Sequence, residues 1–144
     1  MRFLLLIGAT LALIGASCGG GTTSAESVVR AWSSALNAGD NESAADLFAT
    51  NAEIIQGGAE HRFSSRADAV AWNAALPCSG RIVRIKTSGD DVTATFVLGD
   101  RPTSRCDGPG IKARAVIRVR GGKIVLWHQV PLTEAPPVDT TPVV

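Results

Sequence analysis

The chain has 144 residues, 45% of them hydrophobic, with 14 basic and 13 acidic side chains. With a leader and a tail set aside, about a hundred residues remain to bury a core, enough for one compact domain and too few for two. Apolar content at this level with both charge signs present excludes a disordered chain.

Met1 and Arg2 precede FLLLIGATLALIGAS, an apolar run over residues 3–17. It matches the h-region of a signal peptide and is short against the roughly 20 residues that span a bilayer. The expected organisation is therefore a signal peptide over 1–17, a spacer over 18–23, a domain over 24–132 and a Pro- and Thr-rich tail over 133–144. The run ends Gly15-Ala16-Ser17-Cys18, which resembles the lipobox of bacterial lipoproteins, with Gly15 standing where that motif usually has Leu. The resemblance implies that Cys18 becomes an acylated mature N-terminus, with palmitate among its acyl groups, and that the protein is exported and held on the outer side of the cell membrane. Committing Cys18 to lipid leaves Cys78 and Cys106, an even pair in a compartment where disulfides persist. A bond between them would contribute on the order of 3 to 4 kcal/mol by loop closure; two buried thiols are the alternative.

In the domain, Ser24 is placed to cap a helix whose apolar positions Val28, Val29, Trp32, Ala35 and Leu36 recur at three- and four-residue spacing until Asn37-Ala38-Gly39. Asp40 or Asn41 starts a short second helix with a stripe of Ala44, Leu47 and Phe48. A strand over Asn51 to Gln56, a Gly57-Gly58 turn and a short partner near His61 to Phe63 follow. Ser64 or Ser65 caps a third helix, with Asp68 completing the cap, an inner stripe of Ala67, Val70, Ala71 and Ala74, and a stop at Pro77. From Gly80 the period becomes two: RIVRIKT, a Ser88-Gly89-Asp90 turn, DVTATFVLGD, a loop holding Cys106, then IKARAVIRVR, Gly121-Gly122 and KIVLWHQV. These read as two antiparallel hairpins in an α+β domain.

The stretches SAESVVRAWSSALNAGDNESAADLFATNAEI and GGKIVLWHQVPL resemble the two ends of the nuclear transport factor 2-like, or SnoaL-like, superfamily. The resemblance runs from Ser24 to Leu132. It implies a cone-shaped fold with three N-terminal helices packed against a curved, mainly antiparallel sheet, and a pocket between them; Trp32, Phe48, Trp72 and Trp127 are the candidate pocket aromatics. For activity it implies little, because the same shell carries isomerases, dehydratases, epoxide hydrolases, cyclases and binders.

Catalytic sets of that superfamily are incomplete here. The chain has no tyrosine, so the oxyanion hole of the ketosteroid isomerases is missing in its usual form. On the Asp, Arg, Asp set of the limonene epoxide hydrolases, FVLGDRPTS places Arg101 on the arginine and Thr103 on the first aspartate, and the last strand places Gln129 on the second; neither Thr nor Gln takes up a proton at neutral pH. Asp100, Arg101, His128 and Gln129 remain as candidate catalytic residues, with Asp100 or His128 as general base. Regular pairing across Gly121-Gly122 would put His128 on the face of Ile117 and Val119, whereas the resemblance wants Gln129 facing the pocket; a β-bulge would reconcile the two. His61 and His128 lie on separate elements with no carboxylate at ligand spacing, so no metal is expected, and no cofactor motif is present.

Along IKARAVIRVR one face is apolar and the other carries Lys112, Arg114, Arg118 and Arg120, extended by Arg84 and Lys86. Its functional reading is attraction to anionic lipid or envelope polymers, at about 1 kcal/mol per basic residue; its plain reading is a solvated face that limits association. No aromatics interleave with these charges, which argues against nucleic acid. The expected function is an envelope-anchored, non-catalytic domain that binds a small hydrophobic ligand or a protein partner. Its alternatives are a small-molecule enzyme of isomerase, cyclase or hydrolase type and an interaction module, including a homodimer, that uses the basic sheet face. If Cys18 is acylated, Cys18→Ala abolishes palmitate incorporation and moves the protein out of the membrane fraction; labelling that survives the substitution overturns the assignment.

Overall fold

The computed structural model describes residues 22–132; the expected leader, the lipidation site Cys18 and the tail lie outside the described residues. Helix α1 (Ala25–Asn37) starts as its cap requires: Ser24 Oγ accepts from Ser27 N at 3.1 Å. Gly39, at a φ of 76°, turns the chain out of α1 in a conformation that disfavours other residues. Asp40 Oδ1 then accepts from Ser43 N to cap α2 (Asn41–Ala45). That helix ends earlier than its apolar pattern suggests. Phe48 opens strand β1 (Phe48–Gln56) by pairing with Ile124, so it reaches the core from the sheet and not from a helix.

Strand β2 (Ala59–Arg62) returns against β1, and α3 (Arg66–Ala75) follows with Ser65 as its cap and Asp68 bonded back to Ser64. The Ser64 hydroxyl and, less strongly, the Ser64 amide donate to the Asp68 carboxyl and hold it below the usual carboxylate range. The inner face of α3 differs from the expected stripe. Ala67, Ala71 and Ala74 are exposed, while Ala69 and Asn73 are buried and Trp72 and Leu76 pack on the core. The physical reason is that the Asn73 amide is satisfied in place: its Oδ1 accepts from Trp32 Nε1 at 2.9 Å and its Nδ2 donates to Ala69 O at 2.8 Å. A polar residue can then occupy the buried side.

Four long strands complete a six-stranded sheet: β3 (Ser79–Ser88), β4 (Asp91–Gly99), β5 (Lys112–Arg120) and β6 (Lys123–Val130). The order is β2-β1-β6-β5-β4-β3, antiparallel throughout except where β1 runs parallel to β6. This is the expected α+β architecture, helices against a curved, mainly antiparallel sheet. Its core joins Val28, Val29 and Leu36 of α1 to Val92, Ala94, Ile117, Val119 and Ile124 of the sheet. Six rings lock the layers together. Trp32 lies within 6.4 Å, centroid to centroid, of Phe48, Trp72, Phe96 and Trp127, and Phe63 adds edge-to-face contact with Phe48.

A β-bulge in β6 decides which residues face the helices. Arg118 pairs with Leu126 but Val119 pairs with Ile124, leaving Val125 as the extra residue. Past it, Ile117 pairs with Trp127 and Ala115 with Gln129, so Trp127 and Gln129 share the inner face and His128, opposite Val116, takes the outer one. Regular pairing would have given the reverse.

Cys78 and Cys106 are bonded, with an S–S distance of 2.10 Å and a sequence separation of 28. Their bond fastens the β4–β5 connection to the segment between α3 and β3. Closing a loop of that length restricts the unfolded chain by about 3.5 kcal/mol. Reduction is therefore expected to lower the urea midpoint and, by freeing the unfolded chain, to raise the slope; an unchanged midpoint, or two free thiols by intact mass under non-reducing conditions, contradicts the bond.

Candidate functional site

A cavity of about 280 Å³ opens between the C-terminal end of α1 and the inner face of the sheet. Trp32, Phe96 and Trp127 line it with Leu36, Leu98, Ala113 and Ala115, and Gln56, Ser79, Asp107 and Gln129 supply polar groups. The wall is built by close approach of helix and strand. Asn37 bonds both backbone groups of Gly80, accepting from its N at 2.8 Å and donating to its carbonyl at 3.1 Å, and Ser33 Oγ donates to the same carbonyl. A Cβ at Gly80 would stand 3.0 Å from the Phe96 ring, so only glycine fits this contact without displacement. Among the described residues Trp127 Nε1 is buried without a hydrogen-bond partner, and its ring packs edge-to-face with Trp72 with centroids 5.2 Å apart.

Two of the four candidate pocket aromatics, Trp32 and Trp127, line the cavity. Phe48 and Trp72 stand behind them, Trp72 donating to Gln56 Oε1 at 3.4 Å. Gln129 is exposed at the mouth, while the bulge turns His128 to the outer face of the sheet. Asp100 is exposed and off the cavity; its carboxylate accepts from Cys106 N at 2.8 Å and braces the loop that holds the disulfide.

Arg101 is 4% exposed and also lies off the cavity. Its Nε donates to Leu36 O at 3.2 Å, its Nη1 to Asn73 O and Leu76 O at 2.8 Å each, and its Nη2 to Asn41 Oδ1. These acceptors are the C-terminal ends of α1 and α3 and the first residue of α2. Among the described residues no carboxylate pairs with it; the carbonyls at the negative ends of two helix dipoles offset its charge, and a planar fork meets them together. Burial alone pushes its pKa below the ordinary arginine value. Thr103, aligned with the epoxide hydrolases' first aspartate, is exposed.

The basic face is partly neutralised. Arg118 binds Asp91 through two bonds at 2.7 and 3.0 Å and Arg120 reaches Asp90 at 3.4 Å. The Arg118 hydrogen bond holds the Asp91 carboxyl below the usual range, and Asp91 raises Arg118 in return. Arg114 turns to Thr95 Oγ1, while Arg84 and Lys86 face Thr95 and Thr93 across β4 and Lys112 is exposed beside Val97. His61 is paired with Ile54 and His128 with Ile55, which puts the two imidazoles on opposite faces. The sulfurs of Cys78 and Cys106 and a carboxylate oxygen of Asp107 fall within 4.8 Å of one another, a spacing that suits a metal, but sulfurs bonded to each other have no thiolate to offer one.

Comparison with known proteins agrees with this geometry. The SnoaL-like domain profile matches residues 29–127. The chain belongs to the SnoaL-like family. No curated protein matches it. Similar solved structures include an NTF2-like protein of unknown function from Cytophaga hutchinsonii (TM-score 0.62, 14% identity, 74% of this chain and 88% of that one). A candidate polyketide cyclase from Sinorhizobium meliloti superposes with a TM-score of 0.61 at 16% identity, over 72% of this chain and 93% of that one. A hypothetical protein with a ketosteroid isomerase-like fold from Catenulispora acidiphila, in complex with trimethylamine, gives 0.58 at 21% identity over 72% and 84%. At these identities the likeness is one of fold.

Arg101→Leu would strand three carbonyls and is expected to cost about 3 to 5 kcal/mol in urea unfolding, with Arg101→Lys recovering only part, since an ammonium cannot reproduce the fork. A stable Arg101→Leu protein contradicts the structural role.

Proposed function

We propose that this SnoaL-like domain is a non-catalytic receptor for a small ligand, held at the cell envelope through acylated Cys18, with a protein partner or a second copy on the outer sheet face as the next level of assembly. The observation that carries it is the inner lining itself. Asp100, Arg101 and His128 stand elsewhere, so the cavity offers aromatic and aliphatic walls with amide and hydroxyl groups, the single carboxylate of Asp107 and, among the described residues, no imidazole or tyrosine. Such a surface can bury a ligand and orient it, and it supplies no paired acid and base for proton transfer. Trimethylamine in the Catenulispora relative supports the idea that a shell of this fold takes up a small organic molecule.

Filling the cavity tests this. Ala113→Leu, at a half-buried position of the lining, is expected to weaken binding of a co-purifying ligand, read by native mass spectrometry, while thermal unfolding shifts little. Turnover of epoxides, enones or esters that Asp100→Asn or His128→Ala abolishes would establish an enzyme instead.

A further inference from the structure

We infer that the ligand is a small organic cation, a quaternary or tertiary ammonium whose charge sits between the aromatic lining and the carboxylate of Asp107. This rests on the cavity being a binding site and goes further by fixing the ligand's charge. Two residues of the lining are ionisable, Asp107 and Arg114. Arg114 lies on the outward parity of β5, opposite Thr95, and its Nε points to Thr95 Oγ1, so its guanidinium leaves the cavity and only its backbone side borders it. Among the described residues, Asp107 is then the one charge that faces the opening.

That carboxylate is exposed and uncommitted. Among the described residues no Lys, Arg or His pairs with it, and its nearest polar neighbour is Cys78 Sγ at 3.3 Å, a disulfide sulfur with no hydrogen to donate. The other aspartates near helix starts and loop ends are occupied: Asp40 and Asp68 cap helices and Asp100 braces Cys106. Asp107 shares the lining with Trp32, Phe96 and Trp127, and aromatic π faces attract a cation within about 6 Å, more strongly as water is excluded. An anion would meet Asp107 with no cation to offset it, and a purely apolar ligand would leave the carboxylate without a counter-charge. A cation answers both, and about 280 Å³ accommodates an ammonium of choline size.

The test is isothermal titration of the full-length protein with choline and with its neutral isostere, in which a tert-butyl group replaces trimethylammonium. Choline is expected to bind about tenfold or more tighter than the isostere, and Asp107→Asn, at an exposed position, to erase that preference without changing the unfolding midpoint. Equal affinity for the two overturns the inference and leaves the pocket as a receptor for neutral ligands. Binding of the isostere alone, or of neither, also overturns it, and loss of both in the presence of a bound co-purified molecule assigns the pocket to another ligand class.

Discussion

A buried guanidinium ties three helices to the end of one strand, and the shape of the cavity follows from that tie. Arg101 leaves β4 just past Gly99 and places its donors on the last carbonyls of α1 and α3 and on the first residue of α2. Helix ends carry unsatisfied carbonyls that must find donors if they are buried. Here one side chain meets several of them, and the dipoles that need a cation supply the field that keeps one in the interior. The helices are thereby fixed at the end of the sheet where the cavity opens. Asn37 and Ser33 grip Gly80 alongside, and the disulfide pins the loop that follows Arg101.

The consequence for function is that an arginine which a sequence alignment would assign to chemistry is consumed by architecture. A guanidinium whose three nitrogens are all held by helix-end carbonyls and the Asn41 amide oxygen, off the cavity, is not placed to polarise a substrate there. The bulge at Val125 works in the opposite direction. It turns Trp127 and Gln129 inward and His128 outward, so the last strand brings an aromatic wall and an amide to the cavity and keeps the imidazole away. Scaffold and site are separable in this family's shell, and here the scaffold keeps its features while Asp100, Arg101 and His128 lie off the cavity.

Much of this was legible in the residues because local signals agreed with one another. Ser24, Asp40 and Ser65 cap the helices they precede, Gly39 ends the first, and the switch to a period of two announces both hairpins. Cysteine counting found the Cys78 to Cys106 bond. Where reading failed, a nonlocal partner had overruled the local pattern. Asn73 looks like a surface residue until Trp32 is seen to donate to it, and its burial rotates α3 away from the alanine stripe. Phe48 looks helical until Ile124 pairs with it. The facing of Trp127, Gln129 and His128 depended on one extra residue in a strand, which alternation alone does not reveal; the clash between alternation and family resemblance was the available signal. Asp107 gave no signal at all, since an aspartate beside glycine and proline reads as an ordinary turn residue.

Heteronuclear NMR of the side-chain nitrogens, recorded with and without tetramethylammonium, separates architecture from recognition most directly. The guanidinium of Arg101 should give slowly exchanging signals that do not move on titration, while the indole signals of Trp32 and Trp127 shift together. Rapid exchange at Arg101, or a shift there that tracks the ligand while the indoles stay still, would contradict the account: the arginine would then belong to the site and not to the frame.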